Sequence, residues 1–286
     1  MIARRARVHE LARASIRGAV TQIRRNSRGA RIGKDPEYAH QLRVGTRRLR
    51  VCLRLFGSLL AVEHARAIED DLRWLFQKLG AMREYDVLLA DVLGPLGGTA
   101  PTESLAQLAD LLRSEREDLA EAARRALSSR RYVRLLRTLR TLPQALSPEG
   151  GGKRARKWAR KRLDRRLHRA LALRDVALGP DEVARHELRK ELKKLRYAAE
   201  LMRGLWQPER VKRYLEPLSD VQDVLGTLND VAVGRSMLLT HAEHADATLR
   251  EAVDACVAAL AARAEGQLSE LAKTFRAFEE APPYWR

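Results

Sequence analysis

Cysteine is nearly absent: Cys52 and Cys256 are the only two in 286 residues, about 200 positions apart and each in an apolar helical context. Two isolated thiols make neither a disulfide framework nor a zinc site, which points to a reducing compartment. Aromatic residues are only 5% of the chain, fewer than a β-sandwich core of this size asks for. No run approaches 18 consecutive apolar residues, so no transmembrane helix is expected. The N-terminal stretch lacks the apolar core and cleavage site of a signal peptide. A cytoplasmic protein is the expectation. With 45% apolar residues, the chain is not a disordered tail.

Acid is scarce where base is dense. Residues 1–31 carry nine Arg and one Glu, and residues 40–56 carry five Arg and no acid. Residues 153–174 carry eleven Lys or Arg with only Asp164, and residues 186–196 carry five with Glu187 and Glu191. These four segments hold a net +26 of a total of +18, so the remainder sums to −8. A single charge run is usually a solvated helix face. Four runs holding all the positive excess describe a field aimed at a polyanion. Arginine outnumbers lysine 45 to 10. Guanidinium grips phosphate oxygens with a planar fork and stays charged when partly desolvated.

The helical period dominates, and no alternating run is long enough for a strand. Prolines fall at breaks, Pro217 excepted, which marks a first turn or a kink. The pattern predicts helices near 3–29, 36–60, 63–93, 103–128, 130–142, 153–175, 181–205, 209–240, 243–264 and 267–280. The fold class is all-α. Pro148-Glu149-Gly150-Gly151-Gly152 is the seam of an internal repeat. Residues 40–56 align without gaps to residues 186–202 at an offset of 146, with six of 17 positions identical. Arg47 and Arg48 align with Lys193 and Lys194. The same offset pairs Leu79-Gly80 with Leu225-Gly226, and Arg83-Glu84 with Asn229-Asp230. The reading is one domain over 1–286, built from half-repeats 1–149 and 150–286.

On a helical wheel, His40, Arg43, Arg47, Arg50 and Arg54 fall within about 80° of arc. Leu42, Leu49, Leu53 and Phe56 fill an adjacent arc about 60° wide that reads as the buried face. His186, Arg189, Lys193 and Arg196 repeat the basic stripe beside Leu188, Leu192, Leu195 and Met202. Cations bordering a core, about one turn or roughly 5 Å apart, suit an extended anion with repeated charge.

These segments, HQLRVGTRRLR, LGAMREYDVLL, HELRKELKKLRYAAEL, QDVLGTLNDVAV and the closing FRAFEEAPPYW, resemble the CHAD domain, the conserved histidine α-helical domain. The likeness runs from about residue 9 to the C-terminus. It implies two tandem four-helix-type bundles related by a pseudo-twofold, with a basic groove between them that binds inorganic polyphosphate without catalysis. Carried over residue by residue, the ligand-binding set is His40, Arg43, Arg47, Arg50, His186, Arg189, Lys193 and Arg196. Arg48, Arg54, Lys190 and Lys194 adjoin it, and Arg17, Lys157 and Arg160 are candidate further contacts. Glu200 stands where the first copy has Arg54, which predicts a weaker second row. No cofactor is implied, nucleic acid is a competing partner, and association with polyphosphate granules follows from the ligand.

Other constellations carry less. A lone helix histidine is more often structural, but His40 and His186 stand at matching repeat positions, where imidazole can donate to phosphate. His241 and His244 form an HxxH pair, and two ligands do not make a metal site. Asn229-Asp230, Arg83-Glu84 and Asp86 read as inter-helix contacts rather than catalytic carboxylates. No phosphate-binding loop exists: Gly152-Lys153 is followed by Arg154, with Ser147 where the first glycine belongs. Glu115-Arg116-Glu117 lacks the further lysine of a triphosphate-tunnel hydrolase. Of Trp74, Trp158, Trp206 and Trp285, only Trp158 lies in a basic segment. Sparse aromatics favour a phosphate chain over RNA, whose bases need stacking partners.

Overall fold

The computed structural model describes residues 6–98, 102–147, 151–179, 181–243 and 245–286, without the side chain of Arg83. The first half contains α1 (Val8–Ile32), α2 (Pro36–Phe56), α3 (Val62–Lys78), α4 (Ala81–Leu88), a π-helical turn (Leu89–Leu93), α5 (Gly94–Gly97), α6 (Glu103–Ser128) and α7 (Arg130–Thr141). The second contains α8 (Ala155–Leu171), α9 (Arg174–Ala177), α10 (Glu182–Met202), α11 (Pro208–Ala242) and α12 (Ala247–Glu280). Among the described residues the only β-type pairing is an isolated bridge between Arg7 and Arg154. No described helix is long and apolar enough to cross a membrane.

Local chemistry sets the helix starts that matter most. Asp35 caps α2 by accepting the Glu37 N–H at 2.8 Å, with Pro36 in the first turn. Asp181 caps α10 by accepting the N–H groups of Val183 and Ala184. Both helices are 21 residues long, they start 146 residues apart, and each passes into a 3₁₀ turn, Gly57–Leu59 or Arg203–Leu205. The repeat thus extends to element boundaries. The seam residues 148–150 and the position of His244 lie outside the described residues.

Two expected helix divisions differ. The segment read as one helix over 63–93 breaks at Leu79-Gly80, where the Gly80 N–H bonds back to the Gln77 carbonyl at 3.1 Å. Its counterpart is continuous as α11, which runs through Pro217 without interruption. The two helices read over 243–264 and 267–280 are the single α12. A lone Gly266 costs a helix only about 1 kcal/mol, less than the surrounding helix formers and packed face return.

Two apolar clusters hold the halves together. The larger includes Ile16 and Ile23 of α1, Leu49 of α2, Leu163 of α8, Leu192 of α10 and Phe275 of α12. The smaller joins Leu88 and Leu112 to Val231, Leu238 and Cys256. Both draw on both halves. Leu88 lies against Gly234, its counterpart at offset 146, where an added Cβ would approach Leu88 Cδ2 to 2.9 Å. Cys52 and Cys256 are free and buried, and burial pushes their thiols up to about 12 and about 11.

The C-terminus closes the second half. Tyr284 and Trp285 are fully buried against Tyr214, and the Tyr284 hydroxyl donates to the Ala199 carbonyl at 2.8 Å. Trp285 Nε1 donates to Asp164 of α8 at 2.9 Å, and Arg160 Nε donates to the Trp285 carbonyl at 2.7 Å. This tail fixes the position of α8, which proves to border the site.

Candidate polyanion-binding cleft

Repeat-related helices α2 and α10 pack against each other and open a cleft of about 550 Å³ between the halves. Arg43, Arg47, Arg50 and Arg54 line it from α2; Arg189, Lys190, Lys193 and Lys194 line it from α10. Arg166 of α8 is a ninth cation. Glu84 and Asp230 are the carboxylates among the lining residues, and they are repeat counterparts.

The cations are held on aromatic faces. Arg43 lies 4.5 Å and Arg50 5.4 Å from the Phe76 ring centre, and Arg47 lies 4.9 Å from that of Tyr197. Rings support guanidiniums without neutralising them. The Nε atoms of Arg47, Arg50 and Arg189 are buried without a hydrogen-bond partner among the described residues. Each unmade bond costs roughly 1–3 kcal/mol, which acceptor oxygens of an anion can offset.

Crowding is visible in the acid–base chemistry. Burial first, then Arg189 and Arg47, lower the Lys193 ammonium to about 8, while Asp230 acts in the opposite direction. Burial likewise lowers Arg50, Arg166 and Arg189, and Asp230 again opposes it at Arg189. Asp230 therefore helps keep two cleft cations charged. Glu187 pairs with Lys190 at 2.7 Å, and Glu191 pairs with Lys194.

Several residues expected in the site lie elsewhere. Arg48 faces α1 and donates to Gln22 at 2.8 Å. Arg196 is drawn to Glu200 at 2.8 Å and faces a separate cavity beside Trp206. Glu200 lies with it, so the expected weakening of the second row by Glu200 has no basis in the cleft. Arg17 and Lys157 are exposed outside it, and Arg160 holds the C-terminal tail. Arg54 lines the cleft while paired with Glu69 at 3.4 Å.

His40 and His186 do not line the cleft either. Each is exposed and borders its own flanking depression. The depressions are repeat copies: Ala39, His40, Arg43, Leu79 and Met82 of one match Arg185, His186, Arg189, Leu225 and Leu228 of the other. Arg43 and Arg189 are shared with the cleft, so each histidine stands one turn beyond it.

Arg166 and the supporting rings Phe76 and Tyr197 are absent from the sequence-derived set. Arg166 has no basic counterpart in the first half, and the dense 153–174 run was its only signal. Of the carboxylates, Glu84 and Asp230 face the cleft, while Asp86 pairs with Arg116 at 2.6 Å. His241 approaches Glu115 at 3.3 Å. Among the described residues no three His, Cys, Asp or Glu side chains form a metal-holding group.

The CHAD domain family model matches residues 14–239. The crystal structure of the CHAD domain from the plant Ricinus communis is similar over 99% of this chain and 96% of its own, with 30% identity and a TM-score of 0.83. PptA from Streptomyces chartreusis is similar over 96% of this chain and 99% of its own, with 21% identity and a TM-score of 0.69, a likeness of fold. A search of curated proteins finds no match.

Proposed function

This chain belongs to the CHAD domain family, and from that membership and its cleft we propose that it binds inorganic polyphosphate as a non-enzymatic module. The observation that carries the reading is nine cations against two carboxylates on one cleft formed by both halves. A linear chain of phosphates presents acceptor oxygens along its whole length, so it can meet α2 and α10 together. Arginine forks suit those oxygens, and the unpaired Nε donors add bonds that the free protein lacks.

The second reading, nucleic-acid binding, shares the charge but needs rings for bases. The rings at the cleft are occupied: Phe76 carries Arg43 and Arg50, and Tyr197 carries Arg47. That favours a ligand with no base to stack. The test is competition at physiological salt, with labelled long-chain polyphosphate displaced by unlabelled polyphosphate, tRNA or single-stranded DNA. Displacement by polyphosphate at far lower phosphate concentration supports the reading, and equal displacement by tRNA overturns it. Association with polyphosphate granules in the cytoplasm belongs to the same proposal.

A further inference from the structure

The repeat supplies an internal control for every residue of α8. Here the register is 147: Val8 and Ala155 begin their helices, and the isolated bridge joins Arg7 to Arg154. In that register the buried Ala159, Leu163, Leu167 and Ala170 of α8 fall on the buried Ala12, Ile16, Val20 and Ile23 of α1. The adjoining face does not match. The first copy has Ser15, Gly18, Ala19 and Gln22; the second has Arg162, Arg165, Arg166 and Arg169. Spacings of three and four place all four arginines on one side of the helix.

Packing alone does not call for them, because α1 serves the equivalent core with uncharged residues. Among the described residues no acid forms an ion pair with them. Asp164 receives Trp285 and Arg286, and Glu191 is bonded to Lys194. Arg162 Nε is buried without a partner among the described residues. Its guanidinium rests 4.2 Å from the Trp158 ring centre, and Trp158 is stacked on Phe56, two residues past Arg54 of the cleft. Arg166 lines the cleft; burial opposes its charge, Glu191 supports it, and Arg169, Arg162 and Arg54 oppose it. The positive field therefore continues from the Arg54 end of the cleft onto α8. At the matching end of α10 the counterpart of Arg54 is Glu200, already paired with Arg196.

We infer that a polyphosphate chain longer than the cleft leaves it at one end only, over the arginine face of α8. Arg166 is the junction; Arg162, Arg165 and Arg169 form the track. This rests on the polyphosphate reading and adds a second, one-sided subsite to it. Short chains occupy one row of the cleft without spanning it or reaching the track.

The test compares tripolyphosphate with long-chain polyphosphate across a KCl series. Arg162→Ser with Arg169→Gln gives α8 the residues of α1 at two positions outside the cleft. Arg165→Ala with Arg169→Gln changes only exposed positions and leaves the Arg162–Trp158 contact intact, so a folding defect in the first variant does not decide the matter. Two lost contacts should make the long-chain slope of log affinity against log salt shallower by about 1.4, with tripolyphosphate unchanged. If both folded variants keep the wild-type long-chain slope, the track is wrong and the cleft reading stands. If wild type binds tRNA but neither phosphate chain, the cleft reading fails and takes the track with it.

Discussion

The guanidinium of Arg47 lies over the ring of Tyr197, 4.9 Å from its centre, joining α2 to α10 inside the basic cleft. Arg47 is the repeat counterpart of Lys193, and it is among the charges that lower the Lys193 ammonium, after burial and Arg189. Holding like charges this close opposes the free fold. An anion between them removes that opposition, so charge crowding becomes binding affinity.

Lys193 makes that coupling visible in pH. It titrates at about 8 in the free protein, and a bound polyanion favours its protonated form, raising that value. Binding therefore takes up a proton above about pH 8, and affinity falls as pH rises from 7 to 9.5, approaching tenfold per pH unit at the steepest. Calorimetry in buffers of different ionisation enthalpy reads the proton directly. Lys193→Arg should bind well with little pH dependence over this range; a flat wild-type profile contradicts the assignment.

Two rows facing one cleft predict an effect of chain length. Changing Arg43, Arg47 and Arg50 to Glu should weaken long-chain binding far more than tripolyphosphate binding, because a second linked contact adds about 10²–10⁴ in avidity. Changing Arg189, Lys190 and Lys193 to Glu should be equally damaging, since Glu200 faces elsewhere. Circular dichroism must first show that helices persist. Equal losses for both ligands would mean that the rows do not share a chain.

Gly80 tests how Arg43 is seated. A Cβ at this position would lie 2.9 Å from Arg43 Nη1 and 2.9 Å from the Phe76 carbonyl oxygen. Gly80→Ala should therefore displace Arg43 from Phe76 and weaken polyphosphate binding several-fold while helix content is retained. Gly226→Ala is the internal control: a Cβ there meets nothing within 4 Å, and binding should be unchanged.

Much of this arrangement was legible in residues 40–56 and 186–202, because a fixed offset and a basic stripe beside an apolar one survive from sequence to structure. What a wheel cannot show is which neighbour claims a given side chain. Arg196 shares an arc with Arg189 and Lys193, yet Glu200 and Gln222 draw it aside. Arg48 is adjacent to Arg47, yet 100° of rotation turns it to Gln22 of α1. Arg166 was hidden for the opposite reason: it enters the cleft from a third helix, at a position where the first copy has buried Ala19. The break at Gly80 and the continuity at Gly266 show that glycine punctuates a helix only when its neighbours agree.

The tail motif gives a stability prediction. Trp285 is fully buried, packs on Tyr214 at 4.7 Å and bonds to Asp164 of α8. Trp285→Ala should lower unfolding free energy by about 3–5 kcal/mol in urea titration. A loss below 1 kcal/mol would show that the tail does not hold α8.

The central claim, that affinity arises from neutralising phosphate charge in the cleft, is tested most directly by the salt dependence of long-chain polyphosphate binding. Nine lining cations set against two carboxylates leave a net of seven, so at about −0.7 per phosphate contact the cleft alone sets a log–log slope near −5, and the three track arginines steepen it to about −7 for a long chain. A linear fall of that steepness is the predicted result. A slope near zero, with binding intact at high salt, would contradict it.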